Sequence, residues 1–350
     1  MGQSPDSASY NTIGEGIPLV QGNADIKNRV SSPNRHTSKP TKICRPNSVL
    51  LSVRAPVGTV GIADQTLCLG RGVCAIESDN NDFLYQYLIF KEDSWRNIEQ
   101  GGTFTAINGD DIKKFVYIMP CEIERKKISA FLSLLDSRIA AQRRLVELLK
   151  KHKQGLLQSL FVNKNGKIKL RFNEFKDSWR EYQISDLFEV TRGYVLPTKE
   201  TKNERDEKYR FPVYSSQTKD EGLMGYYFKF LYENAITWTT DGANAGTVHY
   251  RHGPFYCTNV CGVLLNDSGY ANKCIGEILN SVAKHYVSYV GNPKLMNNVM
   301  SEIRITIPSI REQQKIATLL TWIDSRISQS EKALIKTESI KNGLLQQLFV

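Results

Sequence analysis

No run of 18 or more apolar residues occurs in the 350-residue chain, which excludes a membrane-spanning helix. The opening MGQSPDSASYN has neither the basic nor the apolar region of a secretory signal. Cysteine is sparse and unpaired: there are seven, and no Cys-x-x-Cys. Cys257 and Cys261 stand closest, with no second pair at zinc-ligand spacing, and His36, His152, His249, His252 and His285 show no ligand spacing either. Reduced thiols in the cytoplasm and no metal are the expectation. Catalytic signatures are missing too. No glycine-rich loop follows a strand in the dinucleotide pattern, and there is no Walker loop. Amino-methyltransferases need an acid or Asn, two prolines and an aromatic; the closest string, Asn292-Pro293-Lys294-Leu295, lacks the second proline and the aromatic. Asp110, Asp111 and Lys113 superficially suggest a nuclease cluster, but acids in a first helical turn explain them. The expectation is a chain that performs no chemistry itself.

What the chain does have is a repeat. Residues 120–162 and 308–350 align without a gap at an offset of 188, with 17 of 43 positions identical. Both blocks carry Asp-Ser-Arg-Ile (Asp136–Ile139, Asp324–Ile327) and end on Gly-Leu-Leu-Gln-x-Leu-Phe-Val (Gly155–Val162, Gly343–Val350). That period is too long for a solenoid and describes two copies of a globular region followed by a long helix. In the first block Ile128, Leu132, Leu135, Ile139, Val146, Leu149, Leu156 and Leu160 recur at three- and four-residue steps, interrupted by Gln142 and Lys153. In the second, Ile316, Leu320, Ile323, Ile327, Leu334, Leu344 and Leu348 do so, interrupted by Ser330, Thr337 and Lys341. This is a coiled-coil seam, with polar residues that fix register and partner. The simplest pairing is each helix with the other, antiparallel; the alternative is that each packs on its own globular region. Pro120 and Pro308 sit just ahead of each helix, where proline is tolerated.

Charge is unevenly spread within a net +10. Residues 1–119 balance at 12 basic and 12 acidic side chains, yet Ile26 to Arg54 holds seven Lys/Arg and no acid, while Gln65 to Asp111 holds three basic and eight acidic residues. A region polarised in this way offers one positive face to phosphates, or is a solvated loop. The helix block 120–162 alone contributes 9 basic against 4 acidic residues.

Short β-branched runs bounded by Gly, Pro and Asn predict strands at Ser48–Val53, Val57–Ala63, Gly72–Ile76, Ala235–Thr240, Thr247–Tyr250 and Val260–Leu265. Asp82–Phe90 and Asn272–Tyr289 read as helices. Gly58-Thr59-Val60 and Gly246-Thr247-Val248 also stand 188 apart, so the duplication extends into the globular regions. The fold class is therefore α/β (α+β): two mixed α/β domains separated by two long helices forming an antiparallel coiled coil, with pseudo-twofold symmetry. The boundaries are 1–119, 120–162, 163–307 and 308–350. The second globular region has an entry segment, Phe175 to Arg180, that the first lacks, so the chain is expected to start inside its first domain.

These features resemble the specificity (S) subunit of Type I restriction-modification systems. The carriers are the paired helices with Asp-Ser-Arg-Ile and Gly-Leu-Leu-Gln-x-Leu-Phe, the openings Gly2-Gln3-Ser4-Pro5 and Trp179…Asp186-Leu187-Phe188, and Ile305–Ile310 followed by Glu312-Gln313. The resemblance implies two target recognition domains, each reading half of a bipartite DNA sequence, joined by a helical spacer. It implies docking of two methyltransferase (M) subunits that use S-adenosylmethionine to methylate adenine, and of restriction (R) subunits that use ATP and Mg. The alternative is a specificity subunit of a related system whose partner fuses nuclease and methyltransferase; an enzyme of unknown type is the remote third.

Base reading calls for Arg, Lys, Asn, Gln, Ser or Thr on loops. In the first domain Gln3, Ser4, Gln21, Asn23, Arg54, Thr103, Thr105 and Asn108 qualify, while Lys39 and Lys42 in the stretch Ile26–Arg54 are expected to face DNA as phosphate contacts. In the second, Arg192, Tyr194, Ser215, Ser216, Gln217, Thr239, Asn244, Lys294 and Asn297 do. Each of these is otherwise a solvated loop residue. Met296 and Met300 read as core.

Overall fold

The structure is a computed structural model, and it describes residues 1–99, 106–116, 119–161, 168–217 and 219–349. The chain divides into two compact units, Met1–Arg144 with Glu331–Val350, and Leu145–Ser330.

In the first unit the β-branched runs form two five-stranded sheets. One orders Tyr10–Asn11, His36–Thr37, Ile17–Val20, Leu67–Leu69 and Ile43–Cys44; the other Val73–Ile76, Val49–Ser52, Val60–Ile62, Val30–Ser31 and Ile26–Lys27. Helix Asn81–Phe90 starts where the Asn80 side chain accepts the Phe83 N–H at 2.9 Å. It lays Leu84 and Leu88 on a core with Val49, Leu51, Val60 and Trp95. Its other face carries Phe83 and Tyr87, which meet the long helix Glu122–Leu160 at Leu132 and the long helix Ile310–Leu348 at Leu345, with Phe349 beyond it. Phe349 fits edge-on between the rings of Phe83 and Tyr87, at centroid distances of 5.3 and 5.5 Å.

The two long helices run antiparallel here. Leu132 packs beside Leu345, Asp136 accepts the Lys341 ammonium at 2.5 Å, and Arg143 pairs with Glu338. Asp136 also accepts Gln86 Nε2 at 2.6 Å, so both carboxylate oxygens are engaged. The Lys341 side chain is 8% exposed, and burial pushes its pKa down despite Asp136.

The second unit is built on a six-stranded sheet ordered Glu189–Arg192, Cys261–Leu265, Tyr232–Thr239, Val248–Cys257, Phe211–Tyr214 and Leu223–Tyr227, with a separate pair Arg180–Gln183 and Arg304–Ile307. The Trp238 indole lies across Gly262, where an added Cβ would come within 2.1 Å of the ring, and donates its N–H to Leu295 O at 3.0 Å. Helix Lys273–Val282 buries Ile275, Ile278 and Leu279 against the same core as Leu160, Phe161, Ile316 and Leu320. The long helices are again antiparallel: Lys153 reaches Asp324 at 2.8 Å, while Leu160 shares the cluster of Ile316 and Leu320. Lys273 joins at 2.7 Å from Asp324, and Glu277 at 3.1 Å from Lys153.

Two of the polar interruptions of the seam thus become its ion pairs. Lys153 and Lys341 stand 188 apart, as do Asp136 and Asp324. The seam residues Ile128, Leu132, Leu135, Ile139, Val146, Leu149, Leu156 and Leu160, and Ile316, Leu320, Ile323, Ile327, Leu334 and Leu344, are all buried or half-buried. Leu348 departs from the expectation. It is exposed, because the seam steps to Leu345 and Phe349, which enter the aromatic cluster. Met300 is buried but Met296 is exposed, since it caps the short helix Asn297–Glu302 from outside the core. The stretch Asn272–Tyr289, expected as one helix, is α-helical over Lys273–Val282 and tightens to a 3₁₀ turn at Ala283–Tyr286.

Two predictions follow from these pairs. Lys341→Met should destabilise the chain by about 1–3 kcal/mol, because it strands a partly buried carboxylate; adding Asp136→Asn, which removes the charge and keeps an acceptor for Gln86, should recover most of that loss. Urea unfolding of both variants measures it, and a double variant no better than the single one would contradict it. Burial alone would raise the Asp324 carboxyl, but the Lys153 and Lys273 ammonium groups outweigh it and hold it below its ordinary 3.8. A depressed carboxyl adds stability above its unfolded value, and that stability disappears as pH falls through the folded value. Stability should therefore decline more steeply below about pH 4 in the native chain than in Asp324→Asn. Parallel stability–pH curves would count against the pairing.

Candidate nucleic-acid interface

Each unit carries a turn at equivalent sequence positions, and each turn borders a polar cavity. Gly58 donates its N–H to Ser52 O at 2.9 Å, and Gly246 donates to Thr239 O at 2.9 Å. Both glycines have positive φ, 90° and 80°, and a Cβ would collide with Trp95 in one case and Val287 in the other, so only glycine fits.

In the first unit the cavity, about 510 Å³, is lined by Gln21, Gly22, Asn23, Asn34, Arg35 and the turn residues Ala55 and Pro56, among others. The Gln21 backbone is pinned by its N–H to Asp25 Oδ2 at 2.7 Å and by its carbonyl to the Gly72 N–H at 3.1 Å. Arg35 Nη1 reaches Gln21 Oε1 at 3.4 Å. Amide and guanidinium groups on one concave surface are the chemistry that pairs with base edges.

In the second unit the cavity is smaller, about 110 Å³. Its walls include Ser215, Gln217, Thr237, Thr239, Asn244, Thr247 and His249, with Arg251 among them. Asn244 Nδ2 donates to Ser216 O at 3.2 Å and Gln217 Nε2 donates to Leu223 O, leaving both side-chain carbonyls available as acceptors. Burial, with Arg251, Lys273 and Lys153 nearby, pushes His249 down to about 3, so its imidazole is neutral at pH 7.

Of the residues singled out from sequence, the first cavity unites Gln21 and Asn23, and the second Ser215, Gln217, Thr239 and Asn244. Others lie elsewhere. Gln3 is held by its N–H on Leu69 O, and Ser4 Oγ accepts the Arg71 N–H at 3.1 Å. Lys39 and Lys42 are exposed, and Arg54 is exposed on a bridge to Ala106. Asn108 caps helix Gly109–Lys114 by accepting the Asp110 and Asp111 N–H groups, which accounts for the acids there. Thr103 and Thr105 lie outside the described residues. Arg192 donates to Asn259 O at 2.7 Å and Asn297 to Thr191 O at 3.3 Å. Tyr194 is exposed, Ser216 offers its carbonyl to Asn244, and Lys294 faces Asp241 at 3.9 Å.

The acid-free stretch is less uniform than its sequence suggests. Arg29 is clamped bidentately by Glu92 at 2.8 and 2.7 Å. Sequence reasoning missed Asn34, Thr237, Thr247 and Arg251. It ended the strand at Tyr250, whereas the strand runs Val248–Cys257 and turns Arg251 inward. A charged residue in a β-branched and aromatic run was the available signal. Among the described residues no group of three or more His, Cys, Asp or Glu could hold a metal ion, and no helix is long and apolar enough to cross a membrane.

A family model described as the type I restriction modification DNA specificity domain matches residues 14–151 and 176–337. A putative type I restriction enzyme MjaX specificity subunit of Methanocaldococcus jannaschii is 37% identical over 168 residues, 47% of this chain and 40% of that protein. The putative type I specificity subunit S.MpnORF289P N-terminus of Mycoplasma pneumoniae is 40% identical over 144 residues, 40% of this chain and 75% of the relative. The match thus spans less than half the length of the first of these relatives. A crystal structure of a type I restriction-modification S subunit from M. genitalium superposes with TM-score 0.75, covering 100% of this chain and 92% of that one at 19% identity, which shows a shared fold.

The placements separate structural from surface candidates. Asn108→Ala should cost about 1 kcal/mol through loss of its cap. Lys39→Ala and Lys42→Ala should stay within about 0.5 kcal/mol of the parent. Chemical denaturation of the three variants checks the contrast; equal losses would refute it.

Proposed function

This chain belongs to the type I restriction modification DNA specificity family, and we propose on that basis that it is the non-catalytic subunit that reads a bipartite duplex DNA target for partner methyltransferase and nuclease subunits. The observation that carries the reading is the duplication of one recognition device. Each family-matched half has a glycine turn beside a cavity walled by amide and guanidinium groups, and the two walls differ, the second alone adding Ser and Thr hydroxyls. One scaffold with two different polar linings suits two half-sites of different sequence. The exposed Lys39, Lys42 and Arg45 offer phosphate contacts beside the first cavity's strands.

The long helices support two equivalent docking surfaces. Leu134 and Trp322 stand 188 apart, just ahead of Asp136 and Asp324, and are 69% and 61% exposed. Large apolar side chains so exposed on otherwise charged helices fit a protein partner. In this reading two methyltransferase subunits dock there, carrying S-adenosylmethionine for adenine methylation, and restriction subunits supply the ATP- and Mg-dependent cleavage. The assembly works where the chromosome is, in the cytoplasm.

Co-expression with a partner methyltransferase and genome-wide mapping of adenine methylation tests the function: a bipartite motif is expected, and no motif would overturn it. Replacing Lys39 and Lys42 together with Ala should weaken binding to all duplexes and reduce the salt slope by about 0.9 per lost phosphate contact. An unchanged slope would return the stretch to a solvated loop. Light scattering should show two methyltransferases per native chain and one for Leu134→Asp or Trp322→Asp alone; full occupancy in either variant would place docking elsewhere.

A further inference from the structure

Arg251 is a buried cation with no carboxylate within hydrogen-bond distance among the described residues. Its side chain, 6% exposed, stacks on the Tyr214 ring at 3.6 Å, donates Nε to Thr237 Oγ1 at 3.1 Å and Nη2 to the Glu221 carbonyl at 2.7 Å. The carboxylate it faces, Glu221, stands 4.0 Å from Nη1, beyond hydrogen-bond range, with its side chain 72% exposed.

Two other guanidinium groups in this chain are treated differently. Arg29 is held bidentately by Glu92 at 2.8 and 2.7 Å, and Arg171 by Glu312 at 2.8 and 2.8 Å. Burial lowers the Arg29 pKa but Glu92 more than offsets it, and Glu312 raises that of Arg171 against a smaller burial cost, so both end above the ordinary arginine value. For Arg251 burial prevails and the pKa ends below the ordinary arginine value, because Tyr214 and the distant Glu221 compensate less. A desolvated charge left so is costly unless something else arrives to pair with it. Here the route exists, because Arg251 lines the open cavity of about 110 Å³ together with Thr239 and Thr247.

We propose that Arg251, with the Thr239 and Thr247 hydroxyls, is an anchor for one phosphate of the DNA backbone, and that Glu221 occupies its field in the free protein. This rests on the DNA-recognition reading above and deepens it at one residue. The Glu221 carboxylate stands in for the phosphate oxyanion: it offsets part of the Arg251 charge from outside hydrogen-bond distance and is solvated enough to leave by side-chain rotation alone. The carbonyl of Glu221 keeps its bond to Nη2, so the guanidinium stays oriented through the exchange. The threonines and the neutral His249 give the oxyanion donors without adding charge.

The test uses the full chain and a labelled duplex of arbitrary sequence, since phosphate contacts are sequence-independent. Glu221→Gln should tighten binding roughly two- to fivefold. Asp220→Asn, the same charge change one residue away at another exposed carboxylate, should tighten it less. Arg251→Gln should lower the salt slope by about 0.9, and Arg251→Lys should restore it. In the Arg251→Gln background the gain from Glu221→Gln should vanish. Equal gains from Glu221→Gln and Asp220→Asn, or a gain that persists without Arg251, would overturn the proposal, and the first comparison stands even if Arg251→Gln fails to fold. If inorganic phosphate stabilises the free native chain above chloride of equal ionic strength while Glu221→Gln leaves duplex affinity unchanged, the site serves a free anion and the DNA source is refuted. A native chain that binds no duplex at any salt defeats the DNA-recognition reading itself; one that binds with additive variants defeats only the anchor.

Discussion

The Asp–Lys crossing of the long helices is the constraint on which the rest depends. A leucine seam by itself tolerates a slide of seven residues, because every apolar knob finds another hole. A lysine in that seam does not. After such a slide the ammonium of Lys341, 8% exposed, would face Ser129 or Arg143 rather than Asp136, and a buried charge without its partner is strongly destabilising. The same holds in the second unit, where Lys153 and Lys273 both close on Asp324. Each unit thus contains one antiparallel crossing whose register is set by charge and whose strength comes from the surrounding Leu, Ile and Phe.

The crossing also anchors a domain. In the first unit Asp136 holds Gln86 on helix Asn81–Phe90, the helix whose Phe83 and Tyr87 enclose Phe349. In the second unit Asp324 holds Lys273, the first residue of helix Lys273–Val282, which packs on the central sheet. One carboxylate therefore fixes both a helix pair and the docking of a sheet-covering helix. That accounts for an Asp standing at the same place in both repeats, Asp136 and Asp324.

This layer was legible because it is local. A period near 3.5 residues is written along a single helix, and polar breaks in it announce a specific partner before that partner is known. Lys153 and Lys341 were visible as interruptions; that they pair with Asp324 and Asp136 needed the antiparallel alignment. Leu348 was misplaced because the periodic stripe cannot foresee that Phe349, one step on, has an aromatic pocket to enter. The cavities were far less legible. Gln21 and Asn34 come from different loops, as do Gln217 and Asn244, and side chains that look free in a polar loop, such as Asn108 or Asn297, are consumed by backbone groups. Arg251 was hidden in a strand that reads as ordinary β-structure.

The two halves keep what positions and change what contacts. Gly58 and Gly246 retain a conformation that side chains resist, and the Asp–Lys pairs retain register, all at one offset. The cavity walls both carry amides and a guanidinium but from different places in the fold, and the hydroxyls are confined to one: Gln21, Asn23 and Arg35 on one side, Gln217, Asn244 and Arg251 with Ser215 and Thr239 on the other. A substitution in a wall alters donors and acceptors without entering the seam or the glycine turn, since none of these wall residues lies on the long helices. Wall chemistry can therefore diverge between halves while the frame stays constant, which is what the proposed reading of two unlike half-sites by one duplicated fold requires.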